Sequence, residues 1–212
     1  MKHLLIIGAR GWGREVYALA METKAYLHGE YDIKGFLDDK ADALDGLVGD
    51  FPPIIGSVET YEIQDDDVFF CALGEPSYRK NYVEIIENKG GEFISIISPL
   101  AFINPTAKIG KGTIIARNAF ISDNVEIGDH CAIHAFSIFG HDVKIGQYVS
   151  VEAFCFFGGY AEVGDMSSIH VRSTIIRHKK VGKNASVGAA SVVLRDVKDS
   201  TSVYGNPAKR IE

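Results

Sequence analysis

The chain has 212 residues, a hydrophobic fraction of 46% and a formal net charge of −6, which allow one or two domains with apolar cores. The acidic balance, with signs interspersed, argues against a nucleic-acid-binding protein, and no apolar run approaches the roughly 18 residues of a membrane-spanning helix. The cysteines Cys71, Cys131 and Cys155 show no paired spacing. This pattern predicts a reducing, cytoplasmic environment and no metal site.

The first hundred residues alternate between apolar runs and helical patterns. Residues 3–9 predict a strand that enters a glycine loop, and not a signal peptide. The further predicted elements are a helix at Arg14–Met21, a strand at Ile33–Leu37, a loop over 40–56, a short helix from Ser57 to Ile63, a strand at Val68–Leu73, a helix at Glu75–Asn88 and a strand at Phe93–Ile97. This alternation predicts a small, Rossmann-like parallel α/β domain over residues 1–98.

The first loop places glycines between a strand and a helix. Its residues 8–13 read Gly-Ala-Arg-Gly-Trp-Gly, a placement that suits an anion held by backbone N–H groups at a helix N-terminus. It is not the dinucleotide-binding fingerprint, because Arg10 occupies the second glycine position. Asp38 and Asp39, at the end of the second strand, are candidates to accept a ribose hydroxyl. The alternative is a glycine-rich turn that binds nothing.

A strict six-residue period governs the second half of the chain. An apolar residue occupies all sixteen positions of this hexad series, which are Ile103, Ile109, Ile115, Ile121, Ile127, Ile133, Phe139, Ile145, Val151, Phe157, Val163, Ile169, Ile175, Val181, Val187 and Val193. Six residues fit one short strand plus a corner, and three such sides close a triangular coil. We expect each hexad residue to point inward and the small or polar residue after it to lie at the turn. The prediction for residues 99–212 is a parallel β-helix with a C-terminal tail.

The pair His141-Asp142 is the first candidate for chemistry in this region. Histidine suits proton transfer near neutral pH, and an adjacent carboxylate can orient its ring. A solvated corner residue is the alternative reading. His134, His170 and His178 are competing histidines; His178 lies two coils beyond Asp142, about 10 Å away, so direct pairing with that carboxylate is not expected. The basic stretch from His170 to Lys180 is either a phosphate-binding surface or a solvated face.

The order of motifs resembles one family along the whole chain. The segments GARGWGREV, GFLDD, ALGEPSYRK, the hexads and GNPAK are similar to the bacterial sugar acetyltransferases with hexapeptide repeats, which include sialic acid O-acetyltransferases and N-acetyltransferases of UDP-linked 4-amino sugars. The resemblance implies a left-handed β-helix and an N-terminal domain that binds the nucleotide-sugar acceptor. The acceptor-binding residues that it implies are Gly8, Arg10, Gly11, Trp12, Asp38, Asp39 and Gly74, with Trp12 standing where the family often has histidine.

The same resemblance implies the reaction and the second substrate. His141 becomes the general base and Asp142 its orienting partner, and acetyl-CoA lies in a groove between neighbouring subunits of a homotrimer. The acetyl-CoA-binding residues that it implies are Ser150, Gly158, Gly159, Gly188, Ala189, Pro207 and Lys209. Ser150 stands where some members have a second histidine. The aromatic residues Phe154 and Phe156 and the buried-type Cys155 are not assigned to chemistry.

The predicted function is therefore acetyl-CoA-dependent N-acetylation of a UDP-linked amino sugar in the cytoplasm. O-acetylation of sialic acid or another sugar is the alternative within the class, since the same base serves both. Two further alternatives come from other classes. A nucleotide-dependent oxidoreductase is disfavoured by the missing second glycine, and a non-catalytic trimer that binds a sugar nucleotide is supported by Ser150 and by the basic stretch.

Overall fold

A computed structural model describes residues 1–211 of the chain. These residues form two compact units that divide between Pro99 and Leu100; the predicted domains divided one residue earlier. The predicted fold class, a small Rossmann-like parallel α/β domain followed by a left-handed parallel β-helix, is confirmed.

The first unit is built on a five-stranded parallel sheet with the order β3-β2-β1-β4-β5. Its strands are β1 (Lys2–Ile7), β2 (Tyr31–Leu37), β3 (Ile54–Gly56), β4 (Asp67–Cys71) and β5 (Glu92–Phe93), and its helices are α1 (Gly11–Ala20), α2 (Lys24–Leu27) and α3 (Pro76–Asn88). The chain crosses from one side of β1 to the other between β3 and β4. The carboxyl ends of β1, β2 and β4 therefore meet at a switch point of the sheet, where open α/β folds bind ligands.

Three predicted elements of this unit were wrong. The expected loop over 40–56 ends in the edge strand β3, and the expected strand at Phe93–Ile97 divides into β5 and β6 (Ile96–Ile97). The expected helix from Ser57 to Ile63 is a single turn, closed by the bond from Tyr61 N to Ser57 O. It does not continue because the buried carboxylate of Asp67 accepts hydrogen bonds from the Tyr61 hydroxyl and from Gln64 N, which redirects the chain.

The second unit stacks strands of two or three residues into three parallel sheets, with one antiparallel pair, β23–β24, at the tail. The strands are β7 (Phe102–Ile103), β8 (Lys108–Ile109), β9 (Ile114–Ile115), β10 (Phe120–Ile121), β11 (Glu126–Ile127), β12 (Ala132–Ile133), β13 (Ile138–Phe139), β14 (Lys144–Ile145), β15 (Ser150–Val151), β16 (Phe156–Phe157), β17 (Glu162–Val163), β18 (Ser168–Ile169), β19 (Thr174–Ile175), β20 (Lys180–Val181), β21 (Ser186–Val187), β22 (Val192–Val193), β23 (Ser202–Tyr204) and β24 (Lys209–Arg210).

From β7 to β22 each strand residue pairs with the residue eighteen positions further along, as in Phe139 with Phe157, and at the last coil the offset is sixteen, as in Val187 with Val203. The hexad residues fill the interior, and the rings of Phe139 and Phe157 stack with centroids 4.5 Å apart. A second inward position, four residues after the hexad residue, holds small or medium-sized buried side chains on most coils, with Lys179 as an exception. At this position the Ser137 hydroxyl donates to Glu152 O on the next coil at 2.9 Å.

The expected place of the turn was wrong by two residues. The backbone adopts the left-handed region at the third residue after each hexad position from Ile109 to Val187, for example at Asp142 (φ 60°) and Tyr160 (φ 61°). Where the residue directly after the hexad position is glycine, close approach of the coils is the reason: a Cβ on Gly140 would lie 2.9 Å from the backbone nitrogen of Gly159 on the next coil. Corner side chains therefore form columns that run along the β-helix edge.

Candidate active site

A cavity of about 470 Å³ opens at the switch point of the first unit. Six of the seven residues predicted to bind the acceptor line it, namely Gly8, Arg10, Trp12, Asp38, Asp39 and Gly74, together with Glu75, Tyr78 and Tyr82 among others. The seventh, Gly11, is exposed at the start of α1 and does not line the cavity. The structure thus brings together residues that lie far apart in the sequence.

The glycine loop is shaped by two positions that only glycine fits. Gly8 has φ +94°, a conformation that side chains rarely adopt. A Cβ on Gly13 would overlap the carbonyl oxygen of Gly8, so α1 can approach the loop this closely only without a side chain there. The loop consequently presents the N-terminal turn of α1 to the cavity, which suits an anion.

The two aspartates at the end of β2 already accept hydrogen bonds within the first unit. Asp38 accepts from Ala9 N at 2.8 Å and from Lys40 N at 2.9 Å, so it ties the glycine loop to the turn after β2. Asp39 accepts from the Tyr82 hydroxyl at 2.9 Å, and this hydrogen bond, with burial, raises the pKa of Tyr82 to about 12. Each carboxylate keeps further acceptor capacity for a ligand donor.

A buried arginine supports the opposite wall of the cavity and was missed from the sequence. Arg79 lies in the first turn of α3 and is 2% exposed. Its guanidinium donates to Leu73 O at 2.6 Å and to Gly74 O at 3.2 Å, in the loop after β4. These bonds fix the loop that carries Gly74.

A basic depression adjoins the glycine loop. It is lined by Arg10, Arg14, Lys40 and Ala43, and Arg10 also lines the larger cavity. Three cationic side chains therefore lie near the N-terminus of α1, where their charge favours the binding of a phosphate or diphosphate.

In the second unit, His141 and Asp142 form a fixed pair. His141 Nδ1 lies 2.8 Å from Asp142 Oδ2. An ionised carboxylate accepts hydrogen bonds and cannot donate them, so the proton is on Nδ1 and Nε2 is the basic atom of the ring. Half of the His141 side-chain surface is open to solvent (56%), whereas Asp142 is more covered (26%).

Two residues not identified from the sequence complete the surroundings of Asp142. Asn124 Nδ2 donates to Asp142 Oδ1 at 2.7 Å, and the Tyr160 ring meets the His141 ring edge to face with centroids 5.0 Å apart. The hydrogen bonds from Asn124 and His141 lower the pKa of Asp142 below its ordinary value. The sequence signal that could have identified them is the regular spacing of eighteen residues, which places Asn124, Asp142, Tyr160 and His178 in one column.

The His141 ring lies over the backbone of the next coil. A Cβ on Gly159 would be 2.7 Å from His141 Nε2 and 2.8 Å from its Cε1. Gly159, predicted to bind acetyl-CoA, is thus also the residue that leaves room for the imidazole. Gly158 faces the next coil instead, since its Cβ would meet Arg177 N at 2.5 Å.

The other predicted acetyl-CoA residues lie away from this pair within the second unit. Ser150 is buried in the sheet of β12, β15 and β18. Gly188 packs under the Tyr204 ring of the tail, and the exposed Ala189 follows it. Pro207 follows a cis peptide bond, and Lys209 lies exposed in β24. The tail is fastened by the bond from Gly205 N to the Ser191 hydroxyl at 2.9 Å.

The competing histidines lie in two different columns. His134 and His170 share a column with Glu152, and His170 bonds Glu152 Oε1 at 3.0 Å and the Ser186 hydroxyl at 3.2 Å. His178 lies in the column of Asp142, but Tyr160 lies between them and stacks on the His178 ring with centroids 4.9 Å apart. The buried thiols of Cys71 and Cys155 have their pKa raised to about 12, chiefly by burial, which makes them poor nucleophiles at neutral pH.

Two family models match the chain. The model of the PglD N-terminal domain matches residues 3–86, and the model of the GMPPB C-terminal domain matches residues 93–191. Across residues 1–211, every helix is too short or too polar to cross a lipid bilayer.

Solved structures resemble the chain over its whole length. The acetyltransferase domain of PglB from Neisseria gonorrhoeae FA1090 is 27% identical, with a TM-score of 0.89 and 100% of both chains covered. The same domain in complex with acetyl coenzyme A gives a TM-score of 0.88 over 99% of both chains. PerB from Caulobacter crescentus, in complex with CoA and GDP-perosamine, is 23% identical, with a TM-score of 0.87, and the match covers 100% of this chain and 98% of PerB. At that identity the likeness to PerB concerns the fold.

Curated relatives match a part of the chain. UDP-N-acetylbacillosamine N-acetyltransferase from Bacillus subtilis (strain 168) is 29% identical over 119 residues, which are 54% of this chain and 51% of that protein. The uncharacterised protein L142 of Acanthamoeba polyphaga mimivirus is 28% identical over 116 residues, 53% of this chain and 21% of that protein. The match thus spans about half of the length of the first relative and about a fifth of the second. These similarities support the predicted resemblance to the bacterial sugar acetyltransferases with hexapeptide repeats.

Proposed function

We propose that this protein transfers the acetyl group of acetyl-CoA to the amino group of a nucleotide-linked amino sugar. The observation that carries the proposal is the His141–Asp142 pair, in which the carboxylate holds Nδ1 and leaves Nε2 as a partly exposed base. The likeness to the PglB domain bound to acetyl coenzyme A and to the Bacillus N-acetyltransferase supports acetyl-CoA as donor and an amino sugar as acceptor.

In this mechanism the acceptor nitrogen attacks the thioester carbonyl carbon directly. His141 Nε2 removes a proton from the nitrogen as the C–N bond forms, and the Asp142 carboxylate stabilises the imidazolium. The C–S bond then breaks, and the imidazolium returns the proton to the leaving thiolate as coenzyme A thiol. No acyl-enzyme is needed, and the buried Cys155 takes no part in the step. Ser150, Gly158, Gly159, Gly188, Ala189, Pro207 and Lys209 remain the proposed acetyl-CoA contacts.

The first unit supplies the acceptor site in this proposal. The cavity at the switch point provides carboxylate acceptors at Asp38 and Asp39 for the donor groups of a nucleoside. The neighbouring cations Arg10, Arg14 and Lys40 supply positive charge for the diphosphate. A free monosaccharide such as sialic acid would use little of this arrangement, which favours a nucleotide sugar over the O-acetylation alternative.

Replacement of Arg10 by alanine is expected to weaken binding of a UDP-sugar about tenfold, because one charge-assisted phosphate contact is lost. Binding of uridine, which has no phosphate, should change little. Titration calorimetry with both ligands measures the two effects. Lys24→Ala, which removes an exposed cation of α2 outside both depressions, is the matched control. Equal weakening of uridine and UDP-sugar binding would contradict the phosphate assignment.

We further propose that three copies assemble through the β-helix. The outward positions of the sheet that contains β7, β10, β13 and β16 form an exposed apolar column of Phe102, Phe120, Ile138 and Phe156. The corresponding column on the sheet of β8, β11 and β14 alternates lysine and glutamate and is suited to water. Exposed apolar patches of this kind mark subunit contacts.

Light scattering should give the mass of a trimer for the wild type. The double variant Phe120→Glu and Phe156→Glu should give the mass of a monomer, because charges then replace apolar side chains in the contact. A wild-type monomer at assay concentration would contradict the assembly.

The direct test of the function is release of coenzyme A thiol from acetyl-CoA over a panel of UDP-amino sugars, GDP-amino sugars and free sialic acid. Turnover with an amino sugar nucleotide supports N-acetylation and names the acceptor. Turnover with sialic acid alone would replace the proposal by O-acetylation. Binding of nucleotide sugars with no thiol release in any case would support a non-catalytic trimer.

A further inference from the structure

A second histidine–carboxylate pair lies at another corner of the β-helix and reaches a serine. His170 Nδ1 lies 3.0 Å from Glu152 Oε1, and His170 Nε2 lies 3.2 Å from the hydroxyl oxygen of Ser186. The three residues come from successive coils of one sheet: Glu152 and His170 directly follow β15 and β18, and Ser186 begins β21. A serine, a histidine and a carboxylate in this order of contacts form the arrangement that activates a hydroxyl for attack on a carbonyl carbon.

The hydrogen bonds decide where the protons of this group lie. An ionised carboxylate can only accept, so the proton of the His170 ring is on Nδ1, facing Glu152, and Nε2 carries a lone pair. The Ser186 hydroxyl is therefore the donor in its hydrogen bond to Nε2. The serine proton thus points at a base, as the activation of a hydroxyl nucleophile requires.

The Glu152 carboxylate is fixed at both of its oxygens. Oε1 faces the His170 ring, and Oε2 accepts a hydrogen bond from Val171 N at 2.8 Å. Partial burial acts to raise the pKa of Glu152, but the hydrogen bonds from His170 and from Val171 N outweigh it, and the pKa lies below its ordinary value. Glu152 is consequently ionised at neutral pH and can stabilise an imidazolium at His170.

The surface around Ser186 leaves room for a small ligand. The His170 side chain is 40% exposed, and Ser186 is half-buried. Two residues further on, Gly188 has no side chain, and the Tyr204 ring lies over it, because a Cβ on Gly188 would be 2.6 Å from Tyr204 Cδ2. The exposed Ser202 pairs with Ser186 across the sheet, about 4.8 Å away, and offers a hydroxyl donor for the oxygen of an attacked carbonyl group. The ring of Tyr204 limits the group that fits beside Ser186 to a small acyl group.

We propose that Ser186, His170 and Glu152 form a second site, which hydrolyses carboxylic esters with a small acyl group. Ser186 Oγ forms a bond to the carbonyl carbon while His170 Nε2 takes the hydroxyl proton. The bond from this carbon to the alcohol oxygen then breaks, and the imidazolium gives the proton to the departing alcohol. A water molecule, deprotonated by His170 in the same way, attacks the acyl group, which leaves as a carboxylic acid while the proton returns to Ser186. This activity is independent of the acetyl transfer proposed for His141, because the two sites use different corners of the β-helix.

A fluorophosphonate reagent tests for the activated serine on the wild-type protein. Ser186 Oγ should displace fluoride from phosphorus, and peptide mass spectrometry should locate the adduct on Ser186. His170→Ala should slow the labelling about 10²-fold, because the base is lost, and Glu152→Gln should slow it less, because the base remains. Ser168→Ala is the matched control, since it removes the neighbouring serine of the same sheet and should leave the labelling rate unchanged. Absence of the adduct from the wild type, or an unchanged rate in His170→Ala, would overturn the proposal.

Release of p-nitrophenol from p-nitrophenyl acetate tests the ester cleavage itself. The assay uses His141→Ala as the starting protein, so that the other proposed base does not contribute. Addition of Ser186→Ala should abolish the release above the uncatalysed rate, whereas addition of Ser168→Ala should not change it. Release that survives Ser186→Ala refutes the hydrolytic site. If the wild type is labelled on Ser186 and cleaves the ester but transfers no acetyl group to any acceptor, the proposed function fails and this site stands.

Discussion

Replacement of His141 by alanine is expected to lower kcat for acetyl transfer by about 10²- to 10⁴-fold, the usual contribution of a positioned general base. Nε2 is the basic atom of the ring because Asp142 holds the proton on Nδ1. The KM values for acetyl-CoA and acceptor should change little, since the ring is half exposed and its proposed role begins when the C–N bond forms. Steady-state release of coenzyme A thiol measures both parameters.

Asp142→Asn and His134→Ala serve as comparisons for this prediction. Asp142→Asn keeps the shape of the side chain but removes its charge and should give a smaller loss than His141→Ala, because the base remains. His134 lies in another column of the β-helix, where its charge interacts with Glu152 and not with Asp142. Its removal should therefore leave kcat near that of the wild type. If His141→Ala kept full turnover and His134→Ala were inactive, the general base would be His134.

The period of the β-helix was readable from the sequence because its cause is local and repeated. Each hexad residue faces the same interior, so the apolar series from Ile115 to Val193 had to be unbroken. The exact corner position was not readable from that series. The left-handed residue lies three places after the hexad residue, and asparagine, aspartate, histidine and even phenylalanine occupy it. Stacked backbone bonds between coils offset the local cost of that conformation, so its usual residue preferences are weakened.

The candidate site was predictable only in part, for a related reason. The glycine loop and the His141–Asp142 pair each consist of consecutive residues, and their residue types indicate their chemistry. Asn124 and Tyr160 each lie one coil away from the pair that they contact, and neither residue type is distinctive alone. Arg79 is a more extreme case, because an arginine in an amphipathic helix ordinarily lies on the solvated face. The carbonyl groups of Leu73 and Gly74 made burial of the charge possible.

Gly159→Ala is expected to lower kcat about 10²-fold while the protein stays folded. The added methyl group would lie 2.7 Å from His141 Nε2, so the imidazole must move by several tenths of an ångström or rotate. A displacement of about 1 Å of a reacting group costs roughly this factor. The fold should tolerate the change because the atoms nearest to the new Cβ belong to a half-exposed side chain and not to backbone. Thermal unfolding and thiol release, measured on the same preparation, test the two halves of the prediction.

Gly164→Ala provides the opposite case on the same β-helix. Its new methyl group would lie 2.7 Å from Lys183 N and 2.8 Å from the carbonyl carbon of Gly182, which are backbone atoms of the next coil. This overlap is relieved only if the two coils separate, so we expect the free energy of unfolding to fall by about 1–3 kcal/mol. The His141 ring is not touched, and kcat of the folded fraction should be retained. The pair of variants therefore separates space needed by the base from space needed by the fold. Wild-type kcat in Gly159→Ala would mean that the imidazole position seen here is not the one that reacts.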